Sequence, residues 1–257
     1  MSTRRTAPAV YAMKSAGERI VCLTAYDLFG AQVAEAAGVD VVLVGDSLGN
    51  VVMGHPTTLS VTMPIMEHHV ACVAAGCRTP LLVADMPFGS YGGEKGATFA
   101  NAVRLMQAGA QAVKLEGAYV EETEMLVRAG IPVMGHVGFT PQSIHAFGGH
   151  RVQGKGDDGE RVQLAAKQVA DAGAFAIVLE LIPAELAALI TTTVHAPTIG
   201  IGAGPECDGQ IQVFHDVLGL TANHFKHADR RLEGLDLSVQ AVAGYGQAVR
   251  QKTFKRD

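Results

Sequence analysis

One rhythm constrains this chain more than any other feature. Short apolar, β-branched runs recur at residues 20–25, 39–44, 80–84, 112–115, 132–137, 175–181 and 197–201, with a weaker one at 213–220. Most are apolar at every position rather than at alternate ones, as in Val41-Val42-Leu43-Val44. A strand buried on both faces needs cover on both, and a parallel sheet flanked by helices provides it. The stretches between, at 29–37, 64–75, 96–108, 121–129 and 158–172, have helical composition and are each followed by a glycine: Gly38, Gly76, Gly109, Gly130 and Gly173. Glycine just past a helix adopts the left-handed conformation without a side-chain clash, so these read as repeated helix stops. Strand candidates alternating with helices predict an α/β fold, a (β/α)8 TIM barrel with helical additions at the N- and C-termini. An open doubly wound sheet is the second choice. It fits less well because Thr24-Ala-Tyr-Asp-Leu-Phe-Gly30, after the first run, is not a glycine-rich dinucleotide turn.

Composition agrees with a barrel. Of 257 residues, 48% belong to the apolar set and 18% are charged, enough to fill a large core and too apolar for a disordered chain. Barrels of this kind often run to about 250 residues as one domain, and no linker divides residues 1–257, so a single barrel domain is expected. A net charge of −5 lacks the basic footprint of a nucleic-acid binder. No apolar run is long enough to span a membrane, so no membrane partner is expected. The first eight residues carry two arginines with no apolar stretch behind them; they read as a frayed end rather than a secretory signal. The four cysteines, at 22, 72, 77 and 207, lack zinc-site spacing and read as reduced thiols of a cytoplasmic protein.

Chemistry collects where such a barrel keeps it, at the C-terminal ends of the strands. The apolar runs end on Asp46-Ser47, on Asp85, on Lys114-Leu-Glu116, on His136 and on Glu180. Residues two apart on a strand share a face, which puts Lys114 and Glu116 together. Each acid could instead cap the helix that follows it, but five ionisable ends in succession exceed what capping explains. Asp46, Asp85 and Glu116 form an all-oxygen donor set, which suits Mg²⁺, with Mn²⁺ or Co²⁺ as substitutes. Mg²⁺ takes few direct carboxylates, so one of the three, such as Glu116, would act through water. Lys114 offers a positive charge to a substrate carboxylate or oxyanion.

Other motifs leave two readings open. The run Ile199-Gly-Ile-Gly-Ala-Gly204 fits a phosphate cradle or close backbone packing. Glu67-His68-His69 lacks H-E-x-x-H spacing and reads as helix surface. The glycine-rich stretch 148–156 fits a lid over the barrel mouth or a plain surface loop. Residues from about 220 onward, with Lys226, Asp229, Arg230, Arg231 and Glu233, read as a helical tail or an oligomer contact.

Several long motifs, in order, resemble the ketopantoate hydroxymethyltransferase family, within the phosphoenolpyruvate mutase and isocitrate lyase superfamily of barrels. They are Thr24-Ala-Tyr-Asp27, Leu43-Val-Gly-Asp-Ser-Leu-Gly49, Leu82-Val-Ala-Asp-Met-Pro-Phe88, Val113-Lys-Leu-Glu-Gly117, Gly135-His-Val-Gly-Phe-Thr-Pro-Gln142, Val178-Leu-Glu180, Gly200-Ile-Gly-Ala-Gly204 and Asp208-Gly-Gln210. The resemblance implies transfer of a one-carbon unit from 5,10-methylenetetrahydrofolate to 3-methyl-2-oxobutanoate. The product would be 2-dehydropantoate, on the route to pantothenate and coenzyme A. It implies Mg²⁺ at Asp46, Asp85 and Glu116, and keto-acid contacts from Asp46, Ser47, Asp85 and Lys114. Glu180 matches the catalytic proton acceptor; its neighbours Val178, Leu179, Leu181 and Ile182 would set it in a desolvated environment. His136 is an accessory candidate that orients the substrate, with a structural histidine as the alternative. Cytoplasmic homodecamers are usual in the family. Phe139 and His150 depart from the pattern, as does the stretch 221–230. The rival reading is another Mg²⁺-dependent carbon–carbon lyase of the superfamily acting on a 2-oxo acid. An isocitrate-lyase type reaction wants a cysteine in a K-C-G-H-like loop, and no cysteine here has that setting.

Overall fold

Eight parallel strands close into a barrel in chain order, β1 to β8. The computed structural model describes residues 4–221 and 228–253, the side chain of Lys95 excepted. The elements are α1 (Ala7–Ala16), β1 (Ile20–Thr24), α2 (Leu28–Ala37), β2 (Val41–Val44), α3 (Leu48–Val51), α4 (Met63–Ala74), β3 (Leu81–Asp85), α5 (Lys95–Gln107), β4 (Ala112–Glu116), α6 (Val120–Arg128), β5 (Val133–Gly138), α7 (Ile144–Phe147), α8 (Asp158–Asp171), β6 (Ala176–Glu180), α9 (Ala184–Thr193), β7 (Thr198–Ile201), β8 (Gly209–Gln212), α10 (Phe214–Val217) and α11 (Gly234–Arg250). The chain divides into two compact units, residues 1–211 and 212–257. Among the described residues no helix is long and apolar enough to cross a membrane.

The strand periodicity explains how the site is built. Leu81 and Val83 of β3, Ala112 of β4, Met134 of β5, and Ala176 and Val178 of β6 belong to one buried apolar cluster. Two residues further along the same faces stand Asp85, Lys114 with Glu116, His136 and Glu180. Alternation thus carries each strand from an apolar layer to a polar one. The registers Asp85↔Lys114 and Glu116↔His136 set those groups side by side.

The other end of the barrel is closed by the N-terminal helix. Ala7, Val10 and Met13 of α1, three residues apart, join the same apolar cluster. Burying a side chain the size of Val10 or Met13 stabilises by roughly 1.5–3 kcal/mol, and the Ala7 methyl by less. Thr6 caps the helix by accepting from the Ala9 N–H at 3.3 Å, and a proline in the first turn starts it. Arg5 donates its N–H to the Thr79 carbonyl and pairs with Asp40 at 2.6 Å. The expected frayed end is therefore ordered from Arg4 onward; residues 1–3 lie outside the described ones.

The eighth strand differs from the sequence reading. It lies at Gly209–Gln212, and the expected run at 213–220 contains α10 instead. β8 is short and half polar, with buried and exposed residues alternating, so it lacks the continuous apolar signature of its neighbours. Its Gly209 has no Cβ, and one placed there would lie 2.3 Å from the Ile20 carbonyl oxygen. The barrel closes beside it, through the Ile20 N–H on the Asp208 carbonyl at 3.1 Å. Sequence reading also passed over the helix α9.

Of the five helix-ending glycines, Gly38, Gly109, Gly130 and Gly173 have positive φ, as expected for helix stops. Gly76 does not; it is small because a Cβ there would lie 2.9 Å from that of Ala31. In the second unit, backbone bonds from Arg231, Gly234 and Leu235 to Val217, Leu218 and Gly219 tie the stretch before α11 to the end of α10. Arg230 pairs with Glu233, and Arg231 with Asp229. Lys226, and most of the divergent stretch 221–230, lie outside the described residues.

A pair of substitutions separates backbone strain from crowding. Gly38 has φ +70° and open space where a Cβ would go, whereas a Cβ on Gly138 (φ +95°) would sit 2.4 Å from the Glu180 carbonyl oxygen. Gly38→Ala is expected to cost about 1 kcal/mol, and Gly138→Ala about 3 kcal/mol or more, because overpacking adds to strain. Equal shifts in urea midpoint for the two variants would refute this account.

Candidate active site

The polar layer at the C-terminal end of the barrel is a single network. Lys114 Nζ lies 2.8 Å from Asp85 Oδ1, 3.5 Å from Glu116 Oε1 and 3.2 Å from His136 Nδ1. The other oxygen of Asp85 accepts the Asp46 backbone N–H at 2.9 Å. His136 reaches both ways: Nδ1 is 3.4 Å from Glu116 Oε1 and Nε2 is 3.2 Å from Glu180 Oε2, the latter without the alignment of a hydrogen bond. Asp46, Asp85, Lys114, Glu116 and His136 are all buried. Ser47 is half-buried, and its hydroxyl pairs with the Tyr26 hydroxyl at 2.8 Å. The sequence-derived residues thus come together, with Ser47 at the edge of the group.

None of the acids serves merely as a helix cap. Asp27 does: its Oδ1 accepts the Gly30 N–H at 2.7 Å. The helices after β2, β3, β4 and β6 have no side-chain cap bond at their start. Glu180 is less enclosed than its apolar neighbours imply. Its side chain keeps 16% of its exposure, against 2% for Glu116, because the carboxylate reaches past the strand end toward the open mouth. The chain turns sharply just after it: Leu181 has φ +46°, a left-handed conformation that bulky residues rarely adopt. Such strain costs roughly 1–3 kcal/mol and persists where surrounding bonds enforce it. Here the Leu181 N–H donates to the Ile201 carbonyl, and its own carbonyl accepts from Gln153.

Two residues of the network escaped the sequence reading. Gln142, in the 3-10 turn Pro141–Ser143, donates its side-chain N–H groups to Asp46 Oδ2 at 2.9 Å and to the Met86 carbonyl at 3.0 Å. Its backbone N–H donates to Glu116 Oε2 at 2.9 Å. Tyr91 donates its hydroxyl to Gln142 Oε1 at 2.7 Å and accepts the Glu116 backbone N–H at 3.1 Å. Gln142 closes one of the quoted motifs, so a signal existed. Tyr91, in a loop, had none beyond its nearness to Phe88.

Electrostatics follow from the geometry. Burial, with Glu116 and Asp85 as like-charged neighbours, pushes Asp46 well above the usual carboxylate range. Burial raises Asp85 too, against the pull of Lys114. Burial also opposes charge on Glu116, but Lys114 and His136 outweigh it and hold that acid at about 2. Burial and Lys114 work against a charged His136; Glu116 and Glu180 prevail and bring it to about 9. Lys114 stays protonated because its three acid neighbours outweigh its burial.

The site therefore has a shortage of positive charge. Among the described residues, Asp46, Asp85, Glu116 and Glu180 face the cationic groups Lys114 and His136. A proton or a cation would relieve the crowding that raises Asp46 and Asp85. Among the described residues, no group of three or more His, Cys, Asp or Glu side chains is arranged to hold a metal by itself. Both oxygens of Glu116 already have protein partners. Asp85 likewise has Lys114 on one oxygen and the Asp46 N–H on the other, so Asp46 Oδ1 is the more open donor; burial and neighbouring acids raise both groups, an electrostatic need that a hard cation can answer.

The remaining motifs lie apart from this chemistry. A Cβ on Gly200 would lie 2.9 Å from Gln210 Nε2 and 3.0 Å from Cys207 Sγ, which gives that glycine a packing role. Glu67 pairs with Arg104, and His69 with the Tyr26 carbonyl, as helix-surface groups do. Phe139 is buried with its ring 5.9 Å from Phe147 and 5.0 Å from His150, so the two departures from the family pattern pack against each other. All four cysteines are free thiols, three buried and Cys72 half-buried.

Comparison with known proteins bears directly on this site. The family model described as ketopantoate hydroxymethyltransferase matches residues 4–257. The chain belongs to that family. It is thus an enzyme of the hydroxymethyltransferase class. A 3-methyl-2-oxobutanoate hydroxymethyltransferase of Ralstonia nicotianae is 50% identical, covering 98% of this chain and 94% of the relative. One of Aeropyrum pernix is 48% identical, covering 94% and 90%. Among solved structures, a phosphonopyruvate hydrolase in complex with oxalate and Mg²⁺ superposes with a TM-score of 0.63 at 15% identity, covering 96% of this chain and 88% of that one. A 2,3-dimethylmalate lyase, of the phosphoenolpyruvate mutase and isocitrate lyase superfamily, gives 0.61 at 18% identity over the same shares. At such identities these two share the barrel fold with the enzyme.

The His136 contacts have a sign that can be checked in the metal-free protein. Its folded pKa is raised, so its stabilisation is fully present below the unfolded value near 6.5 and is lost as pH rises through about 9. The unfolding free energy should fall by about 3 kcal/mol across that window relative to His136→Asn. Parallel pH–stability curves for the two proteins would remove the imidazolium from the network.

Proposed function

We propose that the enzyme moves a hydroxymethyl unit from 5,10-methylenetetrahydrofolate to C3 of 3-methyl-2-oxobutanoate, giving 2-dehydropantoate for pantothenate and coenzyme A synthesis. The observation that carries this reading is the separation of labour across the barrel mouth. The Asp46–Asp85–Lys114–Glu116 group lies on one side, and Glu180, reached through His136, lies on the other. Family membership makes a keto acid the natural occupant between them.

The difficult step is removal of a proton from a carbon next to a ketone. Mg²⁺, held by Asp46 and Asp85 with Glu116 acting through water, would supply Lewis-acid stabilisation of the negative charge that develops on the keto oxygen. Lys114 brings a fixed ammonium to the same side, already oriented by Asp85 and so needing no rearrangement as charge grows. Ser47, at the rim, is placed to hydrogen-bond the substrate carboxylate. Glu180 takes the C3 proton onto its carboxylate. His136 Nε2 lies 3.2 Å from that carboxylate and can orient it toward the substrate. The carbon nucleophile left behind forms a C–C bond to the donor's one-carbon unit; water supplies the hydroxyl group and, with the proton taken from C3, the protons that the folate nitrogens take up as their bonds to that carbon break, and tetrahydrofolate leaves.

The same reading includes a cytoplasmic homo-oligomer, a decamer by family likeness. Support comes from α11, where Leu235, Leu237, Val239, Val242 and Val249 are exposed in the single chain.

Glu180→Gln is expected to keep metal and keto-acid binding while cutting turnover by about 10²-fold or more. Deuterium exchange at C3 without the folate checks the role, and wild-type exchange in the variant would exclude Glu180 as the base. Asp85→Ala is expected to abolish the dependence of keto-acid binding on Mg²⁺. Calorimetric titrations with Mg²⁺ and with chelator decide this, and an unchanged Mg²⁺ dependence would contradict it. The overall reaction is tested by adding 5,10-methylenetetrahydrofolate or formaldehyde to 3-methyl-2-oxobutanoate, with chelator as control.

A further inference from the structure

Gln142 has no role in the reaction as set out above, yet three strand ends meet on it. Its side chain donates to Asp46 after β2 and to Met86 after β3, and its backbone donates to Glu116 at the end of β4. Gly138 makes this possible. Its φ of +95° turns the chain at the end of β5, and Thr140-Pro141 then brings Gln142 back across the mouth.

The amide can point only one way. Both N–H donors and the carbonyl acceptor are used, the latter by the Tyr91 hydroxyl. Flipping the amide would set Oε1 against two acceptors, Asp46 Oδ2 and the Met86 carbonyl, and would face the Tyr91 hydroxyl with a donor. Gln142 is also neutral. An arginine or lysine here would grip Asp46 more strongly but would cancel the negative charge that a cation needs. A glutamine restrains the carboxylate and leaves that charge in place. With Oδ2 held, Asp46 keeps one oxygen, Oδ1, with no hydrogen bond from the described residues. That suits a one-oxygen ligand of a cation with strict octahedral demands.

We propose that Gln142, braced by Tyr91, is a positioning residue that orients Asp46 to present a single oxygen to a divalent cation and keeps Glu116 back from direct ligation. This rests on the metal site assigned under Proposed function. The test is titration of Mn²⁺ alone into metal-free protein, followed by calorimetry and by the paramagnetic signal of free Mn²⁺. Wild type, Asp85→Ala, Gln142→Ala and Tyr91→Phe are compared, with thermal melts run on each. Gln142→Ala should weaken Mn²⁺ binding by about 10- to 100-fold, as loss of an outer partner of a metal ligand does. Tyr91→Phe, which frees the amide without removing it, should give a smaller loss in the same direction. A folded Gln142→Ala with wild-type Mn²⁺ affinity, even with a lowered melting temperature, would overturn the proposal by making Gln142 purely structural. Should Gln142→Ala not fold, wild-type affinity in Tyr91→Phe overturns it equally. If Asp85→Ala binds Mn²⁺ as wild type does, the metal site itself is wrong and the proposal falls with it; that outcome is separate from failure of the clamp.

Discussion

A single buried ammonium holds the mouth of this barrel together. Lys114 touches Asp85, Glu116 and His136, and each of those is buried as deeply as the lysine. Taking such charges out of water costs several kcal/mol per ion, so the arrangement stands only because the groups compensate one another. Removing one partner of a buried pair typically costs about 3–5 kcal/mol, since the other charge is left stranded. The barrel affords this because its stability comes from elsewhere. The apolar layer below, sealed by α1, supplies the burial that the polar layer consumes.

Compensation at the site is also incomplete. Burial raises Asp46 well above its ordinary range, and Glu116 and Asp85 add to the rise against the pull of Lys114. A purely structural network would be expected to settle its charges, as Lys14 and Asp208 do with Thr191 and Thr198 on a less buried part of the molecule. Acids raised in this way are relieved by a proton or by a cation from solution, the second being the proposed role of the metal. Glu116 differs from Asp46 in this respect. Lys114 and His136 hold it ionised, and its oxygens are in use, so its charge shapes the field of the site while Asp46 keeps Oδ1 open to a ligand.

The legibility of this fold and site in the sequence follows from period. Strands covered on both faces leave unbroken apolar runs, and β2 to β7 are visible for that reason; β1 is as apolar in sequence although Val21 is exposed. β8 has Gln210 and Gln212 on its half-exposed side, so the apolar run after it drew the eye to what is a short helix. α1 falls in the helical N-terminal addition that the sequence predicts, but its place against the barrel floor shows only in the contacts of Ala7, Val10 and Met13. At the site, every ionisable group that ends an inward-facing row was readable, since a charge at i+2 from a buried residue is conspicuous. Gln142 and Tyr91 were not. They carry no charge, they sit in turns, and their importance lies in partners from three different strands, which no local pattern records.

The position of Glu180 closes the physical argument. As the proposed base, Glu180 must approach a substrate carbon and so cannot be enclosed as Glu116 is, because the substrate has to come between it and the opposite acids. Two backbone features on adjacent strands serve that need. Gly138 lets the end of β5 lie against the Glu180 carbonyl, where any side chain would collide, and the Phe139 N–H donates to that same carbonyl at 2.8 Å. Leu181 then takes a left-handed turn that carries the chain away from the mouth as soon as the glutamate has been delivered. The backbone around Glu180 is fixed by bonds to β5, to β7 and to Gln153, while among the described residues its carboxylate has His136 as its close ionisable neighbour. A rigid main chain with a side chain left accessible is the combination a proton acceptor requires, and the strain at Leu181 is part of what that combination costs.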